Sequence, residues 1–471
     1  MQQILTYIFI ALYSVTILGV VLVIITENRN PLKTLPWIIV LVFAPVVGLV
    51  FYFFFGQNLS KQRIISRRTR KRISMRLVET DETGRAEIPE QWKPLARLFE
   101  SAAHAVPLYG SRITPYTDGN AKMEALLNEI RRAEHHIHLQ YYILCDDRTG
   151  RQLRDALVAK AREGVRIRIL YDDVGCSGVR KAFFESMRRE GIEIHAFLHV
   201  RFPRFTSKIN YRNHRKIAVI DGRVGFIGGM NIADRYLDGP GWGTWRDSHF
   251  RIEGRGAAGL QASFLSDWSA TTKQRISGTE YYPPVGHFSD GILQIVPSGP
   301  FGKWRTLLQG DSYAIAKARR RIWIQTPYYL PSEVLNSALQ TAALAGIDVR
   351  LMLPARSDSR VVDLASHSFL DDMMKAGVRI LFYTPGFLHA KLLIVDDDLT
   401  VIGSANMDFR SFEHNFEVNA FVYDADFNAR MARIFENDAR QSHALTPAEW
   451  FNRPRSRRWT ESLMRVFSPL L

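Results

Sequence analysis

The chain contains 471 residues, of which 46% are hydrophobic and 23% are charged, and its formal net charge is +15. This length leaves room for about three domains. The two cysteines, Cys145 and Cys176, show no C-x-x-C spacing. Their arrangement argues against a disulfide framework and favours a reducing compartment.

The N-terminal region contains two long uncharged stretches, at 1–26 and 34–57. Each is long enough to cross the hydrocarbon core of a bilayer, about 30 Å thick, as a helix. A cleaved signal peptide is the alternative for the first stretch, but it lacks a basic start and a small-residue cleavage site before Glu27. A buried core helix is the alternative for the second. We expect two transmembrane helices.

The charges that flank these stretches predict their orientation. The connecting loop at 27–33 carries two basic residues and one acid, whereas residues 61–76 contain eight lysines or arginines and no acid. Basic flanks stay in the cytoplasm, so both termini and everything after the second stretch are predicted to be cytoplasmic. The basic run at 61–76 would also lie against anionic headgroups, with each basic residue contributing about 1 kcal/mol.

The rest of the chain is predicted to be α/β. Between 77 and 110 we expect a connecting helix that packs against the first domain, with membrane contact as the alternative. Its apolar face consists of Trp92, Leu95, Leu98 and Phe99. Helical and strand-like segments then alternate, and their order repeats from about residue 292. Such alternation indicates largely parallel or mixed sheets covered by helices.

One pattern occurs twice, as YRNHRKIAVIDGRVGFIGGMNI at 211–232 and as FLHAKLLIVDDDLTVIGSANMD at 387–408. Both copies read H-x-K-x4-D-x6-G-x-x-N. Matching segments precede each copy, for example AREGVRIRILYDD at 161–173 and ALAGIDVRLMLPA at 343–355. Self-similarity on this scale indicates two homologous domains and not a short-period solenoid.

The residue types of the motif suit phosphodiester chemistry. A histidine and a lysine two apart on a strand point to the same face. Lysine ammonium groups and asparagine amides can hold phosphodiester oxygens and stabilise the charge of the transition state. One imidazole can attack phosphorus while the other protonates the departing alkoxide. Because each half holds one motif histidine, a working site requires the two halves to face each other.

The two motif copies resemble the signature of the phospholipase D superfamily, and the resemblance covers nearly the whole chain. Within the superfamily, the paired N-terminal stretches, NPLKTLPW and the ending EWFNRPRSRRWTESLMRVFSPLL are similar to bacterial cardiolipin synthases. The resemblance implies a double displacement through a phosphohistidine, without metal or cofactor. Two phosphatidylglycerol molecules would give cardiolipin and glycerol at the bacterial inner membrane, with no nucleic-acid partner. A homo-oligomer is left open.

The resemblance implies roles for individual residues. The catalytic motif residues are His214, Lys216, Asp221, His389, Lys391 and Asp396, and the phosphate-binding residues are Asn231 and Asn406. The first-motif histidine is implied as the nucleophile and the second as the acid and base, although the sequence itself does not break this symmetry. Asp221 and Asp396 have the opposite strand parity, which favours a structural role in a turn. Asp247 and Glu417, 33 and 28 residues after their histidines, resemble orienting carboxylates, with surface salt bridges as the alternative.

Other features support weaker predictions. Gln140, Tyr141, Gln325 and Tyr328 are expected at equivalent strand ends that line the cleft, and 238–245 is expected to be a flexible loop near the site. His135, His136 and His138 lack a spaced carboxylate partner, which argues against a metal site. The tail at 453–471 is basic and amphipathic, and either packs on the second domain or faces lipid.

The predicted architecture has four parts. They are a two-helix transmembrane anchor at 1–57, a basic and helical linker at 58–110, and phospholipase D-like domains at 111–290 and 291–471. A phospholipase D with water as acceptor and a phosphatidyltransferase for serine or ethanolamine are the alternatives in the same fold. A nuclease is favoured by the positive charge but disfavoured by the two apolar stretches. The intact motifs argue against a catalytically inactive scaffold.

Overall fold

The computed structural model describes residues 2–26, 31–52, 87–199, 210–289 and 291–468. The predicted basic run at 61–76 lies outside them. Residue contacts divide the chain into two units, which are described separately. One unit comprises Met1–Gln62 and Val200–Tyr211, and the other comprises Arg63–His199 and Arg212–Leu471.

The N-terminal unit contains three helices. They are α1 (Gln2–Thr26), α2 (Pro31–Phe43) and α3 (Pro45–Phe51). Ile24, Leu41 and Tyr52 are buried together, so α1 and α2 pack against each other. Within the described part of this unit, one helix is long and apolar enough to cross a membrane, over Gln2–Leu22.

The second predicted membrane helix is interrupted. Its described part is divided between α2 and α3 at Ala44, whose backbone angles are not helical, and Pro45 begins the next helix. Proline lacks the N–H needed to continue a helix, which explains the break. The second predicted membrane-spanning helix is therefore not confirmed as a single element, and residues 53–57 lie outside the described residues.

The larger unit has two halves, a first half over residues 112–272 and a second half over residues 292–466. The first half forms a seven-stranded mixed sheet. Its strands are β2 (Arg112–Tyr116), β3 (His136–Tyr141), β4 (Arg166–Asp172), β5 (Glu193–Phe197), β6 (Ile217–Ile220), β7 (Val224–Gly228) and β9 (His249–Glu253), preceded in the chain by β1 (Leu108–Tyr109) and interrupted by β8 (Thr244–Arg246). The connecting helix α4 (Lys93–Ala103) precedes this half, whose helices are α5 (Gly119–Arg132), α6 (Arg148–Arg162), α7 (Lys181–Arg188), α8 (Arg235–Asp238) and α9 (Gly256–Thr272). The strand order is β2-β9-β7-β6-β3-β4-β5, with β3, β4 and β5 parallel.

The second half forms a nine-stranded sheet. Its strands are β1, β10 (Ile292–Ser298), β11 (Arg321–Gln325), β13 (Asp348–Pro354), β14 (Arg379–Tyr383), β16 (Leu392–Val395), β17 (Leu399–Gly403), β19 (Glu417–Tyr423) and β20 (Ser442–Ala444); β12 (Tyr329–Leu330), β15 (Gly386–Leu388) and β18 (Met407–Asp408) lie outside it. Its helices are α10 (Thr306–Lys317), α11 (Glu333–Leu344), α12 (Arg360–His367), α13 (Leu370–Lys375), α14 (Phe409–Glu413), α15 (Ala425–Arg440), α16 (Pro447–Phe451) and α17 (Arg455–Val466).

The two sheets share one topology. The order β9-β7-β6-β3-β4-β5 in the first sheet corresponds to β19-β17-β16-β11-β13-β14 in the second. The strands that follow the two motif histidines, β6 and β16, are fully buried and central in their sheets. The repeat and the mixed α/β architecture predicted from the sequence are confirmed.

The connecting helix α4 packs against the second half and not, as predicted, against the first. The Phe99 ring is tilted against that of Phe421 with centroids 4.3 Å apart, and Trp92 Nε1 donates to Asp398 at 2.9 Å. Gln294 also donates to the carbonyl oxygen of Ala96 at 3.2 Å. The amphipathic pattern predicts that one face is buried, but it does not specify which apolar surface receives it.

A buried histidine cluster in the first half predicts acid sensitivity. His136 Nε2 and His138 Nδ1 both bond to the Gln261 amide, at 3.0 and 2.8 Å. Burial is the main cause that lowers the pKa of His136 to about 4 and the pKa of His138 well below its ordinary value. The groups that face the pair are His135, Arg168, Asp221 and Tyr281.

The folded state therefore binds fewer protons here than the unfolded state, whose histidines titrate near 6.5. Above pH 6.5 the neutral His136 does not reduce the free energy of unfolding. As the pH decreases from 6.5 towards 4, that free energy should fall by on the order of 3 kcal/mol, because protonation of His136 favours the unfolded state. We expect His136→Gln to flatten this dependence in thermal unfolding between pH 7.5 and 4.5. An equal slope in His136→Gln and the parent would contradict the assignment.

Candidate active site

The two motif histidines and lysines lie just before the central strands β6 and β16. Lys216 Nζ donates to the carbonyl oxygen of His214 at 2.6 Å, and Lys391 Nζ donates to that of His389 at 2.5 Å. Lys391 Nζ also lies 3.0 Å from His389 Nδ1. In each copy, the ammonium group is therefore held beside its own histidine, as the two-residue spacing predicted.

Each histidine is bonded to a carboxylate from the opposite half. His214 Nδ1 lies 2.9 Å from a carboxylate oxygen of Glu417, and His389 Nδ1 lies 2.6 Å from one of Asp247. Asp247 and Glu417 were predicted as orienting groups from their position after the histidine of their own half. The structure brings both to the site but exchanges their partners.

Backbone pairing between the halves explains the exchange. Strand β15 pairs in parallel with β8, with Leu388 opposite Arg246, so that the next residues, His389 and Asp247, lie side by side. At the first motif, a parallel bridge between the halves pairs Asn213 with Phe416, which places His214 beside Glu417 in the same way. The backbone N–H groups of the two histidines donate to the carbonyl oxygens of Phe416 and Arg246, at 3.0 and 2.6 Å respectively.

Part of the predicted flexible loop at 238–245 belongs to this pairing, because Thr244 and Trp245 are strand residues of β8. The Trp245 ring lies 5.1 Å from the His389 ring, and its Nε1 donates to Asp247 at 3.3 Å. The expectation of a flexible loop is thus wrong for the C-terminal end of the segment, which forms a wall of the site.

The site is nearly closed to solvent, and its charges are coupled across the halves. Burial is the main cause that lowers the pKa of His214 and that of His389, the latter to about 3. Lys391 contributes to the first shift and Lys216 to the second. Burial likewise lowers the pKa of Lys216 to about 7 and that of Lys391 to about 8.

The two carboxylates remain ionised. Burial raises the pKa of Glu417, but His214 and Lys216 more than offset this effect, so that the net pKa is below its ordinary value. His389 and Lys391 do the same for Asp247. An ionised carboxylate at Nδ1 holds the imidazole proton there and leaves the Nε2 lone pair available. Both histidines are therefore prepared to act through Nε2.

The two carboxylates are supported differently. Ser404 Oγ donates to Glu417 at 2.5 Å, whereas the aligned residue of the first motif is Gly229. A Cβ atom at Gly229 would lie 2.1 Å from Asp247 Oδ1, so a serine does not fit there. Asp247 instead accepts from the backbone N–H of Ser248 at 2.7 Å. This difference breaks the symmetry that the two motif sequences share.

The motif asparagines are buried and already bonded to protein. Asn231 accepts from the N–H of Ile143 at 3.1 Å and donates to the Tyr236 hydroxyl at 2.5 Å. Asn406 donates to Asp408 at 3.0 Å, and its carbonyl oxygen is buried without a partner. An amide nitrogen has two hydrogens, so each side chain retains one donor beyond these contacts.

The motif aspartates bind the backbone at the far ends of β6 and β16. The Asp221 carboxylate accepts from the N–H groups of Glu134, His135 and His136, at 2.8–2.9 Å. The Asp396 carboxylate accepts from those of Arg319, Arg320 and Arg321, at 2.8–3.2 Å. Both residues have positive φ, 53° and 52°, as expected in a turn. These contacts support the structural role inferred from strand parity.

Aromatic residues around the histidines were only partly predicted. The Tyr142 ring lies 5.1 Å from the ring of His214, and the Tyr328 ring lies 6.4 Å from that of His389. Tyr141, which was predicted to line the cleft, instead bonds to the buried Lys122 at 3.3 Å. Tyr141 is the last residue of β3, and the next residue points to the opposite side.

The two glutamines that were predicted to line the cleft bond to buried aspartates instead. Gln140 donates to Asp267 at 2.6 Å, and Gln325 donates to Asp438 at 2.7 Å. Each aspartate also forms a buried ion pair with an arginine, Arg215 or Arg246, next to a site residue. Through these aspartates the glutamines support the arginines next to His214 and Asp247, and their prediction as cleft-lining residues is wrong.

Comparisons with known proteins agree with this geometry. A family described as cardiolipin synthase, PLD-like domain matches residues 126–268 and 313–439, and a phospholipase D-nuclease N-terminal family matches residues 14–57. Cardiolipin synthase 2 of Bacillus cereus is 42% identical over 95% of this chain and 89% of its own length. The major cardiolipin synthase ClsA of Bacillus subtilis is 38% identical over 98% of both chains.

Among solved structures, a phosphatidylserine synthase of Haemophilus influenzae superposes with a TM-score of 0.59 at 15% identity, over 81% of this chain and 98% of that one. This likeness supports the fold. The family match covers more than half of the chain, and the curated relatives are similar along nearly all of it. The chain therefore belongs to the cardiolipin synthase family with phospholipase D-like domains.

Proposed function

We propose that the chain is a cardiolipin synthase that transfers a phosphatidyl group from one phosphatidylglycerol to another and releases glycerol. The observation that supports this proposal most strongly is the exchanged pairing of His214 with Glu417 and of His389 with Asp247. It makes one site from two halves, and each imidazole has its Nε2 available. Double displacement at phosphorus requires two such groups.

In the first step, His214 Nε2 attacks the phosphorus of the donor. A phosphorus–nitrogen bond forms, the bond from phosphorus to the glycerol oxygen breaks, and His389 gives its Nε2 proton to that oxygen. In the second step, a hydroxyl of the acceptor phosphatidylglycerol gives its proton to His389 and attacks phosphorus. The phosphorus–nitrogen bond then breaks and His214 is regenerated. The order of roles rests on the resemblance to the superfamily.

The charges of the site support these steps. Burial favours neutral imidazoles before substrate binds, as the nucleophile requires. The acid must be protonated, and a bound phosphodiester anion raises the pKa of a nearby imidazole. Lys216 and Lys391 would stabilise the charge on the phosphoryl oxygens, with Asn231 and Asn406 as additional donors. We assign Asp221 and Asp396 to the support of the fold.

We further propose the four-part division at 57/58, 110/111 and 290/291, with both uncharged stretches at 1–26 and 34–57 crossing the membrane. The break at Ala44 is compatible with a membrane-spanning segment, because membrane helices tolerate proline. The excess of basic residues at 61–76 supports a cytoplasmic location for the catalytic halves. A multi-pass protein of the inner membrane follows from this proposal.

The acceptor distinguishes a synthase from a phospholipase D. Exchange of two phosphodiesters for two others is nearly isoenergetic, whereas hydrolysis is strongly favoured, so a synthase must keep water from the phosphohistidine. The almost complete burial of the motif residues supports such exclusion, with Lys216 and Lys391 only 0% and 4% exposed. A serine or ethanolamine acceptor would require additional recognition of an amine.

We expect the purified full chain, in phosphatidylglycerol vesicles with chelator and without nucleotide, to release glycerol and accumulate cardiolipin in equal amounts. Added glycerol should drive the reaction backwards because the exchange is nearly isoenergetic. Chromatography of the lipids and an enzymatic glycerol assay measure both products. Phosphatidic acid as the main product at every lipid density would make the protein a phospholipase.

A further inference from the structure

The C-terminal helix α17 has one face fixed to the protein and another that is left uncovered. Glu461 is 1% exposed, accepts from Arg453 at 2.8 Å, and lies 3.8 Å from Nδ1 of His367, the last residue of α12. On the same side, Arg465 lies over the Phe369 ring, 4.4 Å from its centroid. These contacts hold one face of α17 against α12 and against the residues that follow α12. They therefore determine which face of α17 is turned away from the protein.

The opposite face carries an apolar stripe. Trp459, Leu463, Val466 and Phe467 are 78%, 57%, 73% and 45% exposed. Trp459, Leu463 and Val466 fall within about 60° of arc on a helix of 3.6 residues per turn. An exposed tryptophan aligned with large aliphatic residues is typical of helices that lie in a membrane interface. The packing contacts and the exposed stripe lie on different faces of α17, so the two roles predicted as alternatives are compatible with each other.

The surrounding charge indicates which surface this stripe fits. Residues 453–467 contain five arginines and one glutamate, and that glutamate is bonded on the buried face. Arg455 and Arg458 lie along one side of the stripe and are exposed, and Arg458 is also 3.8 Å from Asp371. An anionic bilayer surface is complementary to such a helix. A symmetric contact between two copies would bring the same arginines together and be opposed by repulsion.

The helix beneath α17 leads to the active site. Ser366 of α12 accepts from the N–H of Tyr329 at 3.2 Å. Two residues before α12, Asp358 accepts from the Tyr328 hydroxyl at 2.8 Å, and the Tyr328 ring lies 6.4 Å from that of His389. A short series of bonded residues therefore connects α17 to the tyrosine beside the second motif histidine.

We propose that the exposed stripe of α17 docks on an anionic phospholipid surface and, through α12, sets the orientation of the active site towards that surface. The proposal rests on the proposed function for its substrate and adds a membrane contact separate from the N-terminal stretches. Trp459 and Leu463 enter the interface, while Arg455 and Arg458 contact phosphates.

A spin label reports the contact directly. The full chain carrying Leu463→Cys is labelled and reconstituted in phosphatidylglycerol vesicles, with the signal of the parent chain subtracted for Cys145 and Cys176. Leu344→Cys is the matched control, because Leu344 is an aliphatic helix residue that is 73% exposed. We expect the label at 463 to be accessible to oxygen and several-fold less accessible to a water-soluble nickel complex than the label at 344.

Equal accessibility of the two labels to the nickel complex would overturn the proposal. So would dipolar broadening of the label at 463 that disappears on dilution with unlabelled chain, since it would show a contact between copies. The measurement needs no turnover, so its failure leaves the proposed function intact. If the label at 463 lies in the lipid but the chain forms no cardiolipin, the docking proposal stands and the proposed function is wrong.

Activity provides a second readout. Leu463→Ser with Val466→Ser should lower cardiolipin formation several-fold when phosphatidylglycerol is diluted in phosphatidylcholine vesicles, and a higher phosphatidylglycerol content should restore it. Leu344→Ser should behave as the parent chain does. A loss that persists in pure phosphatidylglycerol, or the same loss in Leu344→Ser, would overturn the docking role.

Discussion

Alanine in place of either His214 or His389 should reduce cardiolipin formation by about a thousandfold or more, because residues that act as one unit fail together. Each half contributes one imidazole, and the carboxylate bonded to each comes from the other half. Neither half thus contains a complete site. For the same reason, the double variant should be no slower than either single variant.

Initial rates of glycerol release in phosphatidylglycerol vesicles measure this effect. His443→Ala is the matched control, since the side chain of His443 is 52% exposed and pairs with Glu449 away from the motifs. Thermal unfolding verifies that the variants fold. Half of the parent activity in either single variant would show two independent sites, and the shared-site architecture would be wrong.

The sequence predicted what depends on local pattern. Two motif copies, each following a similar scaffold, were sufficient to infer the repeat, the mixed sheets and the placement of Lys216 and Lys391 beside their histidines. The structural role of Asp221 and Asp396 also followed, because strand parity places a residue five after Lys216 or Lys391 on the other face. These inferences need only the geometry of a single chain segment.

The contacts between segments could not be predicted in the same way. Asp247 and Glu417 were recognised, but their exchange depends on the pairing of β8 with β15 and of Asn213 with Phe416, which are distant in sequence. The packing of α4 against the second half could not be predicted for the same reason, because it is also a contact between distant segments. An amphipathic helix or an edge strand indicates that a partner exists and leaves its identity to the tertiary fold.

The exchanged carboxylates lead to the second large effect. Glu417→Gln should lower the rate of cardiolipin formation by about a hundredfold to ten-thousandfold, because an amide can hold the imidazole in the wrong tautomer and cannot stabilise its positive charge. Asp247→Asn should have an effect of similar size through His389. Glu436→Gln, on the exposed side of α15, is the matched control and should retain the parent rate.

Histidine titration tests the pairing itself. Glu417 opposes the effect of burial by raising the pKa of His214, so its neutralisation should lower that pKa further, while the resonances of His389 stay in place. Asp247→Asn should lower the pKa of His389 and spare His214. NMR spectra of labelled histidine, assigned with the two alanine variants, separate the rings. A response of His389 to Glu417→Gln, with His214 unchanged, would mean that each half orients its own histidine, and the exchange between the halves would be wrong.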